Sequence, residues 1–119
     1  MKKTLVIGAS LNPLRYSYKV IYKLVNKGHP VLAIGSIIGD VAGVEIITNN
    51  KSFENINTVT LYLNPQRQVA FYNYIVSLKP KRVLFNPGTE NSEFYNILIE
   101  NNIEYEEACT LVLLSTNQY

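Results

Sequence analysis

The sequence predicts an α/β fold: a doubly wound, mainly parallel sheet of about five strands in the order 3-2-1-4-5, with helices on both faces. Two observations lead to this prediction. Short apolar runs alternate along the chain with segments whose apolar residues recur at helical spacing. Three of the apolar runs also lead into the same dipeptide, at Asn12-Pro13, Asn64-Pro65 and Asn86-Pro87.

The Asn-Pro dipeptide is typical of the place where a strand ends and a helix begins. An asparagine side chain accepts a hydrogen bond from the free N–H groups of a helix start, and proline suits the first helical position. The residue before a proline is pushed towards an extended conformation. If the strands are parallel, these turns lie at one edge of the sheet, which is where open α/β sheets bind ligands.

The strongest strand signals are runs rich in Leu, Val and Ile without alternation, as expected of parallel strands covered on both faces. We predict strands at Thr4–Ile7, Val31–Ile34, Val59–Leu63, Val83–Phe85 and Ile103–Glu106. In the order 3-2-1-4-5, the fourth of these lies beside the first. The turns Gly8–Pro13 and Asn86–Thr89 should then face each other where the direction of winding reverses.

Helical spacing predicts three helices, and three other segments are less regular. The helices contain Val20–Val25, Gln66–Leu78 and Ser92–Asn101. Val44–Thr48 is predicted as a short extended piece, and Ser52–Ile56 as a helical turn at most. Ala108–Leu114 is apolar enough for either a buried helix or a last strand, and periodicity does not decide between them.

Composition narrows the classes of function. A chain of 119 residues predicts one domain, residues 1–119, and a net charge of +2 is too small to indicate nucleic-acid binding. No apolar stretch approaches the ~20 residues of a membrane span. One cysteine and one histidine exclude an internal disulfide and the usual zinc sites. We therefore expect a cytoplasmic protein with neither metal nor membrane partner.

The first predicted turn has features of a phosphate site. Of the dinucleotide fingerprint G-x-G-x-x-G, only the first glycine, Gly8, is present, so the motif is weak. Helix N-termini nevertheless bind anions, Ser10 and Ser17 can donate hydroxyl groups, and Arg15 can grip a phosphate through two hydrogen bonds. The alternative is that Gly8 only makes a tight turn and Arg15 is a surface charge.

The end of the second strand argues against a nicotinamide cofactor. Dinucleotide sites need an acidic residue there for the ribose, or an arginine for its phosphate, and this chain has Gly35-Ser36. Both residues still allow a nucleotide to lie close to the backbone. At the third strand, Tyr62 precedes Asn64 and Pro65, and its ring could pack on an adenine or a pantetheine arm. The alternative is a half-buried strand tyrosine.

No catalytic group of residues emerges from the sequence. His29 is predicted in a helix-to-strand turn at the opposite edge of the sheet. Cys109 follows two glutamates, which disfavour a reactive thiolate, so we expect a buried and inert thiol. Tyr16, Tyr18 and Tyr22 are candidates for one end of the crevice or for an oligomer contact.

Four stretches stand out together: Ile7-Gly8-Ala9-Ser10 with Asn12-Pro13 and Arg15-Tyr16-Ser17, Val59–Pro65, Phe85–Asn91 and Glu107–Val112. In combination they resemble the stand-alone CoA-binding proteins, which are related to the CoA-binding domain of succinyl-CoA synthetase α subunits. The resemblance covers nearly the whole chain. It implies a Rossmann-like fold that binds coenzyme A, or a related adenine nucleotide, across the strand ends.

The resemblance also implies a set of binding residues. Gly8, Ala9, Ser10, Arg15 and Ser17 match the first phosphate-facing loop, Tyr62, Asn64 and Pro65 match the third-strand loop, and Asn86, Pro87 and Gly88 match the fourth. Relatives usually carry an Asn-Pro-Lys-like turn after the second strand, whereas this chain has Gly35-Ser36-Ile37. The phosphorylated histidine of the synthetases lies in a separate domain, for which this chain has no room.

Three hypotheses about function follow. The first is a non-catalytic module that binds coenzyme A or an acyl-CoA. The second is a small enzyme acting on an acyl-CoA or a nucleotide, with Cys109 or Glu90 taking part. The third is a regulatory or scaffold protein whose nucleotide site is vestigial and whose working surface is a contact between copies, which leaves a homo-oligomer open.

Overall fold

A computed structural model describes all residues of the chain, 1–119, as alternating strands and helices. The strands are β1 (Thr4–Ala9), β2 (Val31–Gly35), β3 (Gly39–Val41), β4 (Val44–Ile47), β5 (Thr58–Leu61), β6 (Arg82–Phe85) and β7 (Glu104–Glu107). The helices are α1 (Tyr16–Asn26), α2 (Pro65–Gln68), α3 (Tyr72–Leu78), α4 (Ser92–Glu100) and α5 (Thr110–Ser115). A 3₁₀ turn, Val69–Phe71, joins α2 to α3.

All strands lie in one sheet with the order β3-β4-β2-β1-β5-β6-β7, in which only β3 is antiparallel to its neighbour. The predicted doubly wound α/β fold is confirmed. The sheet has seven strands rather than five, because the short hairpin of β3 and β4 also joins it. Counted along the chain, the parallel strands have the order 3-2-1-4-5-6, which extends the predicted order by one strand.

The extra strand changes which neighbours meet at the centre of the sheet. β4 takes the third place, outside β2, and β5 lies directly beside β1 with Thr4 opposite Thr58. The prediction that Val83–Phe85 borders the first strand is therefore wrong. The winding direction reverses between β1 and β5, and the turn that follows β6 lies one strand further out.

The sheet separates two apolar cores, because its central strands are buried on both faces. Leu5 and Ile7 of β1 pack towards α3 and α4, together with Phe85 and Phe94. Val6 and Ala9 pack on the other face against α1, through Val20, Ile21 and Leu24, and against Leu114 of α5. This two-sided burial explains the continuous apolar runs in the sequence.

The structure changes two of the helical predictions and decides a third that the sequence left open. The predicted helix Gln66–Leu78 is interrupted by the 3₁₀ turn, and Val69 and Ala70, which we expected on its apolar face, are exposed. Ser52–Ile56 forms no helical turn. The open segment Ala108–Leu114 contains a helix, α5, which begins at Thr110.

Only one of the three Asn-Pro dipeptides caps a helix as predicted. The Asn64 side chain accepts a hydrogen bond from the Arg67 N–H at 2.9 Å, with Pro65 in the first helical position. Asn12 instead accepts from the Leu14 N–H at 3.0 Å, and α1 begins only at Tyr16. The helix after Asn86 is capped by Asn91, whose side chain accepts from the Phe94 N–H at 3.2 Å.

The Asn86 side chain is buried and ties three elements together. Its amide nitrogen donates to the Thr60 hydroxyl at 2.7 Å and to the Leu61 carbonyl at 2.9 Å. Its amide oxygen accepts from the Thr110 N–H at 2.9 Å. The end of β6 is thereby joined to β5 and to the start of α5. Both the nitrogen and the oxygen of the Asn86 side chain are used in these structural hydrogen bonds.

Replacing Asn86 with alanine should lower the free energy of unfolding by about 2–4 kcal/mol, since several buried polar partners would lose a hydrogen bond at once. Urea denaturation monitored by circular dichroism measures this value. Asn73→Ala is the matched control, because Asn73 is exposed on α3 and should change stability by less than about 0.5 kcal/mol. Equal effects of the two substitutions would contradict the assigned role of Asn86.

His29 lies at the opposite edge of the sheet from the Asn-Pro turns, as predicted. Its Nδ1 atom accepts a hydrogen bond from the Lys2 N–H at 3.0 Å, and its ring packs edge-on against Tyr119 at 4.9 Å between centroids. Burial lowers the pKa of His29, and the positive charges of the amino terminus, Lys2 and Arg82 lower it further. The folded protein therefore favours the neutral imidazole.

Stability should fall below pH ~6.5, because there the unfolded chain takes up a proton on His29 more readily than the folded chain does. The effect is absent above that pH and grows as the pH falls through the range in which the folded protein keeps His29 neutral. His29→Asn keeps an acceptor near the Lys2 N–H and removes the titration. Urea unfolding at pH 7.5 and 5.5 should show a larger loss for the wild type; identical losses would contradict this assignment.

Candidate functional site

A cleft of about 540 Å³ opens at the carboxyl ends of the central strands, within the ~300–1,000 Å³ range of small-molecule sites. Its walls come from the carboxyl ends of strands and the loops that follow them: Gly8–Ser10 at the end of β1, Ile34–Ile37 at the end of β2, Thr48 after β4, Tyr62–Asn64 after β5 and Pro87–Thr89 after β6. Because these strands are parallel, their carboxyl ends share one edge. The cleft therefore lies at the place where doubly wound sheets bind ligands.

Two glycines line the cleft at points where the strand backbones pack closely together. Gly8 has a φ of 92°, and a Cβ atom there would lie 3.0 Å from the Tyr62 carbonyl carbon and 3.1 Å from a methyl group of Leu63. A Cβ atom on Gly35 would overlap the Ala9 carbonyl oxygen. The register of β1 against β2 shifts at the same point, between Ile7 and Ala9. Both positions therefore require glycine, and both contribute backbone rather than a side chain to the lining of the cleft.

The start of α1 borders one side of this cleft. No side chain caps the helix, and its first turn contains no acidic residue. Ser17, in that first turn, is buried and lines the cleft. Tyr16 also lines the cleft, but its side chain is largely exposed. Uncapped N–H groups and the positive end of the helix dipole favour an anion at this position.

The charged side chains of the cleft are all positive. Arg15 lies immediately before α1, and Arg67 lies in α2, after β5. No carboxylate lines the cleft. Guanidinium groups bind phosphate or carboxylate oxygens through paired, charge-assisted hydrogen bonds. The cleft is thus electrostatically suited to an anionic ligand with more than one charged oxygen.

Most of the residues that the sequence analysis selected come together here. Eleven of the thirteen line the cleft: Gly8, Ala9, Ser10, Arg15, Ser17, Gly35, Ser36, Tyr62, Asn64, Pro87 and Gly88. Pro65 and Asn86 do not line it. Pro65 begins α2, and Asn86 is buried below the surface in the hydrogen bonds described above.

The sequence analysis missed Phe71 and Thr48, which also line the cleft. Phe71 was hidden in a segment predicted as one regular helix, and Thr48 in a segment of uncertain structure. The sequence contained one signal of this interruption. In a regular helix, Val69 and Ala70 would not lie on the same face as Ile75, which indicates that the helix is broken near Phe71.

A buried glutamine, Gln68, was also missed, and it holds two walls of the cleft together. Its side-chain amide donates to the carbonyl oxygens of Leu63 and Thr89, both at 2.8 Å. Its oxygen accepts from the Asn91 side chain at 2.9 Å. The loop after β5 and the loop after β6 are therefore joined through one side chain. Glutamine is mostly exposed in proteins, so the sequence alone did not indicate this role.

Tyr62 lines the cleft while part of its ring packs against the core on the α1 side. Burial is the main cause of a raised pKa for the Tyr62 hydroxyl. The hydroxyl therefore stays protonated at neutral pH, and Tyr62 offers an apolar ring and a neutral hydroxyl rather than a base.

The candidate catalytic residues lie outside the cleft. Cys109 is half-buried immediately before α5, and Glu90 accepts a hydrogen bond from the Gly88 N–H at 2.9 Å. Neither lines the cleft. The chain has no group of three or more His, Cys, Asp or Glu side chains arranged to hold a metal ion. None of its helices has the length and apolar character needed to cross a membrane.

The chain is similar to a known protein family and to several solved structures. A family model described as a CoA binding domain matches residues 2–115. A solved structure described only as an uncharacterized protein is 50% identical, with a TM-score of 0.97 over 100% of this chain and 98% of that one. A search of curated proteins gave no match.

More distant structures share the fold alone. A conserved hypothetical protein from Pyrococcus furiosus is 23% identical, with a TM-score of 0.83 over 94% of this chain and 98% of that one. A dinucleotide-forming acetyl-coenzyme A synthetase from Ca. Korarchaeum cryptofilum, solved with phosphate and ADP, is 11% identical, with a TM-score of 0.71. That match covers 88% of this chain and 25% of the synthetase chain.

The family match spans nearly the whole chain and includes every strand and all lining residues of the cleft. The chain therefore belongs to the CoA-binding domain family.

Proposed function

We propose that this protein binds coenzyme A, or a closely related adenine nucleotide, in the cleft at the carboxyl edge of its sheet, without catalysing a reaction. The observation that carries the proposal is the meeting of a bare glycine backbone, the uncapped start of α1 and two arginines in one cleft. Membership of the CoA-binding domain family supports the choice of ligand.

The pyrophosphate of the nucleotide fits the polar side of the cleft. Gly8 lines the cleft, as do Arg15 and Ser17, and it packs so closely against Tyr62 and Leu63 that a Cβ atom would not fit. The N–H groups of α1 and the Arg15 and Arg67 guanidinium groups supply the hydrogen bonds that phosphate oxygens need. These same groups have no carboxylate among the lining residues to satisfy them.

The uncharged parts of coenzyme A fit the remaining walls. Tyr62, Leu63 and Phe71 present apolar surface beside the charged region, and Ile37 lies at the rim with 66% of its surface exposed. An adenine ring or a pantetheine arm buries apolar area against such surfaces. The mixture of a few directed polar groups with apolar walls is typical of nucleotide and cofactor sites.

The arrangement favours binding over catalysis. General-base or nucleophilic chemistry requires a titratable group within hydrogen-bonding reach of the reacting atom. In the cleft, the titratable side chains are the two arginines and the tyrosines Tyr16 and Tyr62. Arginines remain protonated, and the Tyr62 hydroxyl is held neutral by burial.

Replacing Arg15 or Arg67 with glutamine should weaken coenzyme A binding about tenfold each, because a charge-assisted hydrogen bond to phosphate is lost. Isothermal titration calorimetry at low salt measures the change in Kd. Lys81→Gln is the matched control, since it removes one positive charge from an exposed position before β6, at the opposite edge. The control should bind as the wild type does.

A wild-type protein that gives no heat with millimolar coenzyme A or ADP, while a nucleotide without adenine does, would contradict the ligand assignment. Equal losses in the arginine variants and in Lys81→Gln would contradict the assignment of the site, because they would indicate a general effect of net charge.

The proposal that the protein is not an enzyme predicts that it leaves acyl-CoA intact. Acetyl-CoA incubated with stoichiometric protein should release free thiol no faster than in buffer, as measured with a thiol-reactive dye and corrected for Cys109. Release that the wild type supports and Cys109→Ser abolishes would instead establish the enzymatic alternative. Cys109→Ser should leave the Kd for coenzyme A unchanged, since Cys109 does not line the cleft.

A further inference from the structure

We infer that the cleft recognises the diphosphate of an adenine nucleotide but makes no use of a phosphate on its ribose, so that it binds dephospho-coenzyme A at least as tightly as coenzyme A. This inference rests on the proposed function. It concerns the β2 rim, which we define as Gly35, Ser36, Ile37 and Thr48, all of which line the cleft.

The positive charges of the cleft are confined to its other side. Arg15 belongs to the loop between β1 and α1, and Arg67 belongs to α2, which follows β5. These elements flank the point where the winding direction of the sheet reverses. In doubly wound folds, the first strand-to-helix loop holds the pyrophosphate. The two arginines are thus placed for the diphosphate.

The ribose of a nucleotide bound in this way falls at the end of the second strand. In this chain the β2 rim consists of two hydroxyl side chains, Ser36 and Thr48, a glycine and the exposed Ile37. Hydroxyl groups donate to and accept from the hydroxyls of an unmodified ribose. The side chain of Ile37 offers an apolar surface to the base.

The β2 rim itself offers no charged partner to a ribose phosphate, because none of its four residues is charged. The cation nearest to it in the sequence, Lys51, is exposed three residues beyond Thr48 and does not line the cleft. A phosphate dianion on the ribose would lose part of its hydration against this rim without gaining a cation, which costs free energy. An unphosphorylated ribose carries no charge, so it does not incur this desolvation cost at the rim.

Gly35 shows how closely the strands pack under the rim. A Cβ atom there would overlap the Ala9 carbonyl oxygen and lie 2.9 Å from a methyl group of Ile46. Recognition of a ribose phosphate would require a long cationic side chain reaching over this edge, and the lining of the rim supplies none.

The test is isothermal titration calorimetry of the wild-type protein with coenzyme A, dephospho-coenzyme A and ADP. We expect dephospho-coenzyme A to bind with a Kd equal to that of coenzyme A within about twofold, or lower. We also expect ADP to bind measurably, since it retains the adenosine and the diphosphate.

A designed variant makes the test sharper. Ser36→Lys places a cation on the exposed β2 rim but also removes a hydroxyl that the ribose of either ligand can use, so the readout is the ratio of the two dissociation constants. The Kd of coenzyme A relative to that of dephospho-coenzyme A should fall about five- to tenfold. Ile99→Lys is the matched control, because Ile99 is 58% exposed in the last turn of α4, beside the first residues of β6 and β7. It adds the same charge at the opposite edge and should alter neither Kd.

Three results would overturn the inference, and they are distinguishable. Wild-type binding of coenzyme A tenfold or more tighter than dephospho-coenzyme A refutes the inference but preserves the proposed function. A folded Ser36→Lys variant with no gain in preference for coenzyme A shows that the ribose lies elsewhere, which refutes it as well. If none of the three nucleotides binds the wild type, the proposed function fails and takes the inference with it.

Discussion

The structure depends above all on how closely the backbone of β1 approaches its two neighbours at its carboxyl end. Gly8 lies against the Tyr62 and Leu63 region on one side, and Gly35 lies against the Ala9 carbonyl on the other. A side chain at either position would push the strands apart. The close convergence of these three strand ends sets the geometry of the cleft, and Arg15 and Arg67 lie around its opening.

Two buried amide side chains preserve this arrangement. Asn86 joins the end of β6 to β5 and α5, and Gln68 joins the loops that follow β5 and β6. Every buried side-chain nitrogen and oxygen in the protein has a hydrogen-bond partner. Fully satisfied networks of this kind hold loops in one conformation, which limits the ordering that a ligand would otherwise have to impose.

The fold was predictable from the sequence because its central strands are buried on both faces and its helices carry one apolar stripe each. The site was predictable to the extent that it follows from strand ends: Gly8, Arg15 and Tyr62 lie where the turns placed them. The position of β4 was not predictable, since Val44–Ile47 is short and follows an irregular loop. Without it, the strand beside β1 could not be identified.

The errors at single residues have physical causes. Asn86 carries the same signal as Asn64, but only Asn64 caps a helix; the burial of Asn86 depends on α5, a segment far along the chain. Gln68 and Phe71 contribute through tertiary contacts made where the helix changes to a 3₁₀ turn, which periodicity cannot register.

The central claim is that the ligand lies at the carboxyl edge of the sheet and binds the start of α1. Two-dimensional ¹H–¹⁵N NMR of the labelled protein titrated with coenzyme A tests it most directly. The account predicts that the amide signals of Gly8, Ser17 and Gly88 shift, whereas those of Gly28, Lys81 and Ile103 at the opposite edge do not. Shifts confined to that opposite edge, or an unchanged spectrum, would contradict it.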